Sequence, residues 1–272
     1  MNSLLLGIIG ILLYLLATVL SIKSIRQTDS DRVGYRRLFT PLPLAGLAAI
    51  FHTASLLLSY VQAGSIDFSF FPISSLVSLI VVVLLLITAL NKPVEKLGII
   101  IFPTAAILLS LSHLLPTEHT LLENPSPGME IHILFSILAF SLLNIAAVQA
   151  LLLALQDWQL HNRNPNWFIR SFPPLQTMET LLFQMIAVGL GLLTVSLGSG
   201  FYFLHDLFGQ HLAHKTVLSL IAWFVFGVLL WGRSIFGWRG QTAIRWTLGG
   251  FATLVLAYFG SKLVLEIILD RV

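Results

Sequence analysis

The stretch G-S-G-F-Y-F-L-H-D-L-F-G-Q-H-L-A-H-K (198–215) leads through an apolar run (216–230) into W-G-R-S-I-F-G-W-R-G (231–240). With its flanks, the apolar run is long enough to cross a bilayer as a helix. His205, His211 and His214 stand just ahead of it, and an arginine-bearing G-W-R-G closes its far end. Imidazole is costly in lipid unless it is paired or ligated. The cluster therefore reads as a site for a metal or haem, or as an ordinary polar loop.

The rest of the chain repeats the apolar theme. Of its 272 residues 57% are hydrophobic and 10% charged, against about 25% charged in soluble domains. This is the composition of an integral membrane protein, all-α and polytopic. Eight spans are expected, near 4–22, 42–61, 71–91, 97–115, 131–155, 178–197, 214–232 and 246–268. Each covers a hydrocarbon core of about 30 Å as a helix that satisfies its own backbone. No room is left for a soluble domain, so 1–272 reads as a single transmembrane domain. The first run lacks a basic leader and a small-residue cleavage site, so it is expected to be a retained helix. Without cysteine, disulfides, thiolate metal sites and covalent haem attachment are excluded on this chain. A formal charge of +3 gives no sign of nucleic-acid binding.

Loop charge alternates. The loops after spans one, three, five and seven hold every basic residue except Lys215, Lys262 and Arg271. The loops after spans two, four and six carry Asp67, Glu118, Glu123, Glu130 and Asp206. Positive-inside bias then predicts both termini on the outer face, which in a bacterium is the periplasmic side of the inner membrane. On that topology His113, His119, His132, His205, His211 and His214 gather at the outer side, His52 lies near mid-membrane, and His161 is cytoplasmic.

Within this set, His132 and His214 each open a helix at the same face, an arrangement suited to bis-histidine ligation of haem iron. The plainer reading gives each a loop carbonyl to bond. His211 and His214, three apart, have a spacing zinc can use with Asp206 or His205, although no H-E-x-x-H accompanies them. His52 is either a functional ionisable residue in the membrane or a histidine bonded to a serine of a neighbouring helix. Phe201, Tyr202, Phe203 and Phe208 suit a platform for a flat ring or an interfacial belt. Gly189, Gly191, Gly198 and Gly200 suit close packing or a sharp exit from span six. Arg233 and Arg239 suit lipid phosphate or haem propionates. Glu179 suits the dipole of its own helix, and Lys262 with Glu266 forms a local pair.

P-P-L-Q-T-M-E (173–179), the G-x-G at 198–200, H-K (214–215) and W-G-R-x-x-x-G-W-R-G (231–240) together resemble the cytochrome c assembly (CcsA/HemX-like) family of membrane proteins. Within it they resemble the small eight-helix YpjD-type branch. The resemblance spans nearly the whole chain. It implies haem handling at the outer face, with His132 on the histidine that opens a helix before the haem-presenting segment, and His52 on a transmembrane histidine. The segment 198–215 takes the place of that tryptophan-rich loop, yet its W-x-W-D core is absent. The second outer histidine of the full-length haem lyases is absent as well.

The resulting expectation is a haem-binding component of c-type cytochrome biogenesis, not itself the thioether-forming enzyme. Haem b would be the cofactor or cargo. His132 and His214 are its axial candidates, His52 follows, and His205 and His211 are reserves. Membrane lipid and other cytochrome c biogenesis membrane proteins are the expected partners. The alternatives are a haem-free scaffold or regulatory subunit and, further off, a proton- or cation-linked transporter.

Overall fold

In the computed structural model, residues 2–26, 41–63, 69–115, 127–162, 169, 171–203 and 213–260 are described. Their regular structure is entirely helical: α1 Ser3–Arg26, α2 Pro41–Ala63, α3 Phe70–Ala89, α4 Gly98–Leu114, α5 Pro127–His161, α6 Leu175–Phe203, α7 Ala213–Phe236 and α8 Gly240–Val255. A 3₁₀ turn, Glu95–Leu97, leads into α4, and a π-helical turn, Leu256–Gly260, ends α8. Eight helical segments are long and apolar enough to cross a membrane.

The helices group into two compact units. In the first, α1 packs on α2 and α4, and α3 joins α4 and α2. The short 90–97 link makes α3 and α4 an antiparallel hairpin. In the second, α5 and α6 form the most extensive pairing, α7 packs on α6, and α8 packs on α7 and α5. Large apolar residues such as Leu4, Leu12, Ile50, Leu134, Val188 and Phe224 are exposed, as a lipid-facing surface requires. Hydroxyls on the helices are satisfied locally: Thr18, Ser21, Thr53, Ser74, Thr88 and Thr247 each donate to the carbonyl four residues back.

Three expectations need correction. Helix α6 continues through Phe203, so Gly198 and Gly200 do not mark an exit. Helix α8 starts at Gly240 rather than 246, because G-Q-T-A-I-R-W, polar enough to read as loop, forms its first two turns and carries Arg245. Helix α5 runs for 35 residues, roughly 52 Å at about 1.5 Å per residue, well past the span read from its apolar run. The Lys262–Glu266 pair, Phe208, His119, His205 and His211 lie outside the described residues.

The W-G-R-S-I-F-G-W-R-G motif builds the corner between α7 and α8. Gly237 and Gly240 have φ of +66° and +51°, values that favour glycine. Gly232 leaves room for the Trp238 indole, which also packs on Trp246 at 5.3 Å between ring centroids. Arg233 donates from Nη1 to the Trp238 carbonyl at 3.2 Å and lies 4.8 Å above the Phe183 ring of α6. Glu179 of α6 does not serve its own helix: its Oε1 accepts the Gly240 N–H at 2.6 Å, capping α8. Asp157 of α5 accepts from Gln241 at 2.6 Å beside it. We expect Glu179→Ala to lower stability by about 1 kcal/mol and Glu179→Gln by less, since an acceptor survives. Thermal unfolding in detergent measures both.

Candidate functional site

Two clusters of polar side chains form around histidines, one in each unit. In the first unit His52 is fully buried in the middle of α2. Its Nε2 meets Ser75 Oγ of α3 at 2.9 Å, and its Nδ1 faces the Tyr14 hydroxyl of α1 at 3.4 Å. The Tyr14 ring stands edge-on to the imidazole at 5.9 Å and stacks on Phe102. Both ring nitrogens of His52 are thus engaged by the protein.

One turn along α2, Ser55 donates to the Ser3 carbonyl at 2.8 Å and meets His113 Nε2 at 3.0 Å. The His113 ring lies over Gly7, where a Cβ would sit 2.5 Å from Nε2. Helix α1 comes this close because it offers glycine there. The serine partner of His52 is the plainer of the two sequence readings, realised in the structure.

In the second unit His132 lies in the second turn of α5, half-buried against α6. Its Nδ1 is 2.8 Å from the Ser196 carbonyl oxygen. A carbonyl only accepts, so Nδ1 carries a proton, and in the neutral ring Nε2 keeps its lone pair. Gly200, one turn after Ser196, makes the space: a Cβ there would lie 3.0 Å from His132 Cε1. Gly128 does the same for Phe203, and Gly189 for Leu143, whereas Gly191 and Gly198 face open space.

Around the ring, Ser136 Oγ is 3.5 Å from Nε2 and 2.5 Å from Ser196 Oγ. The Tyr258 hydroxyl faces both serines from the π turn. Phe140 packs on the Tyr258 ring at 4.9 Å. His132, Ser136 and Phe140, four apart in turn, share one face of α5. Sequence reading passed over Ser136, Ser196 and Tyr258. The i, i+4 spacing of His132 and Ser136 was the available signal.

His214 opens α7 exposed and bonds to no described residue. Among the described residues no contact joins it to His132, and no group of three His, Cys, Asp or Glu side chains is placed to hold a metal ion. Arg239 is likewise exposed, while Arg233 is held at the α7–α8 corner. Tyr202, the most exposed of the aromatic run that ends α6, meets Phe203 edge-on at 4.8 Å.

These features define a polytopic helical membrane protein with an oriented imidazole at one end of its α5–α6 pair. The profile described as cytochrome C assembly protein matches residues 42–269, and the chain belongs to that family. The inner membrane protein YpjD of Escherichia coli is 33% identical over 264 residues, covering 96% of this chain and 98% of that one. An uncharacterized 28.8 kDa protein of Azospirillum brasilense is 29% identical over 187 residues, 67% of this chain and 69% of its own. The cytochrome c biogenesis protein CcsA of Gloeobacter violaceus is 29% identical over 87 residues, 31% of this chain and 26% of its own. No solved structure matches.

The residues present fit haem in one respect. A ligating histidine ordinarily donates its second ring N–H to a carbonyl or carboxylate, and His132 already does so. His52 does not fit as it stands, because it is fully buried between helices.

Two glycines give opposite expectations. Gly200→Ala pushes on the His132 ring and should cost about 1–3 kcal/mol. Gly198→Ala fills open space in a helix and should gain up to about 1 kcal/mol. In the other unit Ser75→Ala strands a buried imidazole nitrogen at a cost of about 1–3 kcal/mol. Detergent unfolding midpoints of the three variants check these signs.

Proposed function

We propose that this chain binds haem b within cytochrome c biogenesis, through His132 at the periplasmic face of a bacterial inner membrane. The observation that carries this reading is the Nδ1–H bond from His132 to the Ser196 carbonyl, which leaves Nε2 as a fixed donor to iron. The alternation of loop charge supports a periplasmic position for both termini and for this end of α5. The name of the Escherichia coli relative supports the inner membrane.

His214, exposed and unbonded among the described residues, is the second axial candidate. Arg239 is the freer of the two arginines for propionate or lipid phosphate, because Arg233 is engaged. Haem, when bound, would supply an iron centre that takes imidazole nitrogen as a ligand. The chain's part is to orient an imidazole toward that iron, and its partners would be other cytochrome c biogenesis membrane proteins. With W-x-W-D absent and no cysteine on the chain, it is expected to hold or pass haem rather than to form the thioether. A second reading, a haem-free scaffold of the same assembly, is favoured by the internal bonding of His52.

Purification from haem-replete cells and spectra of the oxidised and reduced protein test this. We expect a Soret band with low-spin bands on reduction, and at least about tenfold weaker haem binding for His132→Ala, by the scale of losses at metal sites. His214→Ala with an unchanged spectrum would remove His214 as ligand. A colourless protein that takes up no added haem would replace this reading with the scaffold.

A further inference from the structure

Beside the His132 ring lies a closed chain of hydroxyls. Ser136 Oγ lies 3.5 Å from His132 Nε2, Ser196 Oγ lies 2.5 Å from Ser136, and the Tyr258 hydroxyl faces both serines. Ser136 and Ser196 are buried. In an apolar surrounding each hydroxyl needs both a donor and an acceptor partner. Since Nδ1 of His132 holds the ring proton, Nε2 can only accept, which gives the chain a direction. Tyr258 donates to Ser196, Ser196 to Ser136, and Ser136 to Nε2. Each bond of this chain polarises the next.

We infer that Ser136, Ser196 and Tyr258 form a hydroxyl latch that occupies the Nε2 lone pair of His132 and sets how readily that nitrogen is released to a ligand. This rests on the haem reading for the identity of the ligand, but the latch itself is a property of the empty protein. The terminal contact, at 3.5 Å, is the longest of the chain, so it opens first. A ligand that takes Nε2 leaves Ser136 free to turn its proton toward Ser196, whose own proton turns toward Tyr258, with no group stranded. Such a device suits a protein that must give up what it binds. Ser136 and Tyr258 are positioning residues here: they act only through His132. Tyr258 lies in the π turn at Leu256–Gly260, and Phe140 packs on its ring and on Phe251 and Phe259.

The test uses the full-length protein in detergent with two readouts. The first is the rate at which diethyl pyrocarbonate acylates His132 in haem-free protein, followed by mass spectrometry of its peptide. In that reaction Nε2 forms a bond to the carbonyl carbon and ethyl carbonate leaves, so the rate reports the free lone pair. The second is hemin titration followed at the Soret band. Ser136→Ala is expected to speed acylation and tighten hemin binding about 3- to 10-fold, the net worth of one neutral hydrogen bond. Tyr258→Phe should act in the same direction and more weakly, and Ser136→Thr, which keeps the hydroxyl, should return both readouts toward the parent.

Acylation at the parent rate in both Ser136→Ala and Tyr258→Phe overturns the latch, whatever hemin does. Unchanged hemin affinity in His132→Ala overturns the haem reading instead, and leaves the acylation rates to judge the latch.

Discussion

In hydrocarbon no water is available to a polar group, and this constraint shapes the interior of both units. Backbone groups are closed by helix, and the buried side chains must find partners within the protein. The outcome is visible at each histidine inside a bundle. His52 is bonded on both sides, by Ser75 and Tyr14, and His113 is bonded by Ser55. His132 is bonded through Nδ1 to main chain and meets a serine at Nε2. The serines that provide these bonds are small enough to let helices approach, as expected for association in a membrane.

The two units use similar means to different ends. In the first, the histidines are consumed: Gly7 lets α1 come close, and the imidazoles link α1, α2, α3 and α4. In the second, Gly200 brings α6 against the His132 ring, but the strong bond falls on Nδ1, while Nε2 has a single long contact. His52 has a similar short and long contact but is fully buried, whereas His132 is half-buried. That difference is why His132, rather than the more deeply buried His52, carries the functional reading.

The spans were legible because a membrane helix announces itself by apolar length alone. The ends were not. The first turns of α8 are polar and carry Arg245, and nothing local says that Glu179, 61 residues earlier, caps them. His132 stood out by residue type and position, whereas the acceptor of its ring proton is a main-chain carbonyl, which no residue code records. Arg233 read as an anion ligand because arginines at a membrane face often are. The structure instead turns it inward, onto Phe183 and the Trp238 carbonyl.

Because the acceptor at position 196 is backbone, the tautomer of His132 is encoded by helix register and not by side-chain identity. Substitution at Ser196 leaves the carbonyl in place. A single inserted residue earlier in α6 would turn that carbonyl away by about 100° and carry Gly200 with it. The lock on the imidazole is therefore robust to point substitution and fragile to insertion or deletion. The residues lining α6 can vary so long as Ser196 and Gly200 keep their register against His132.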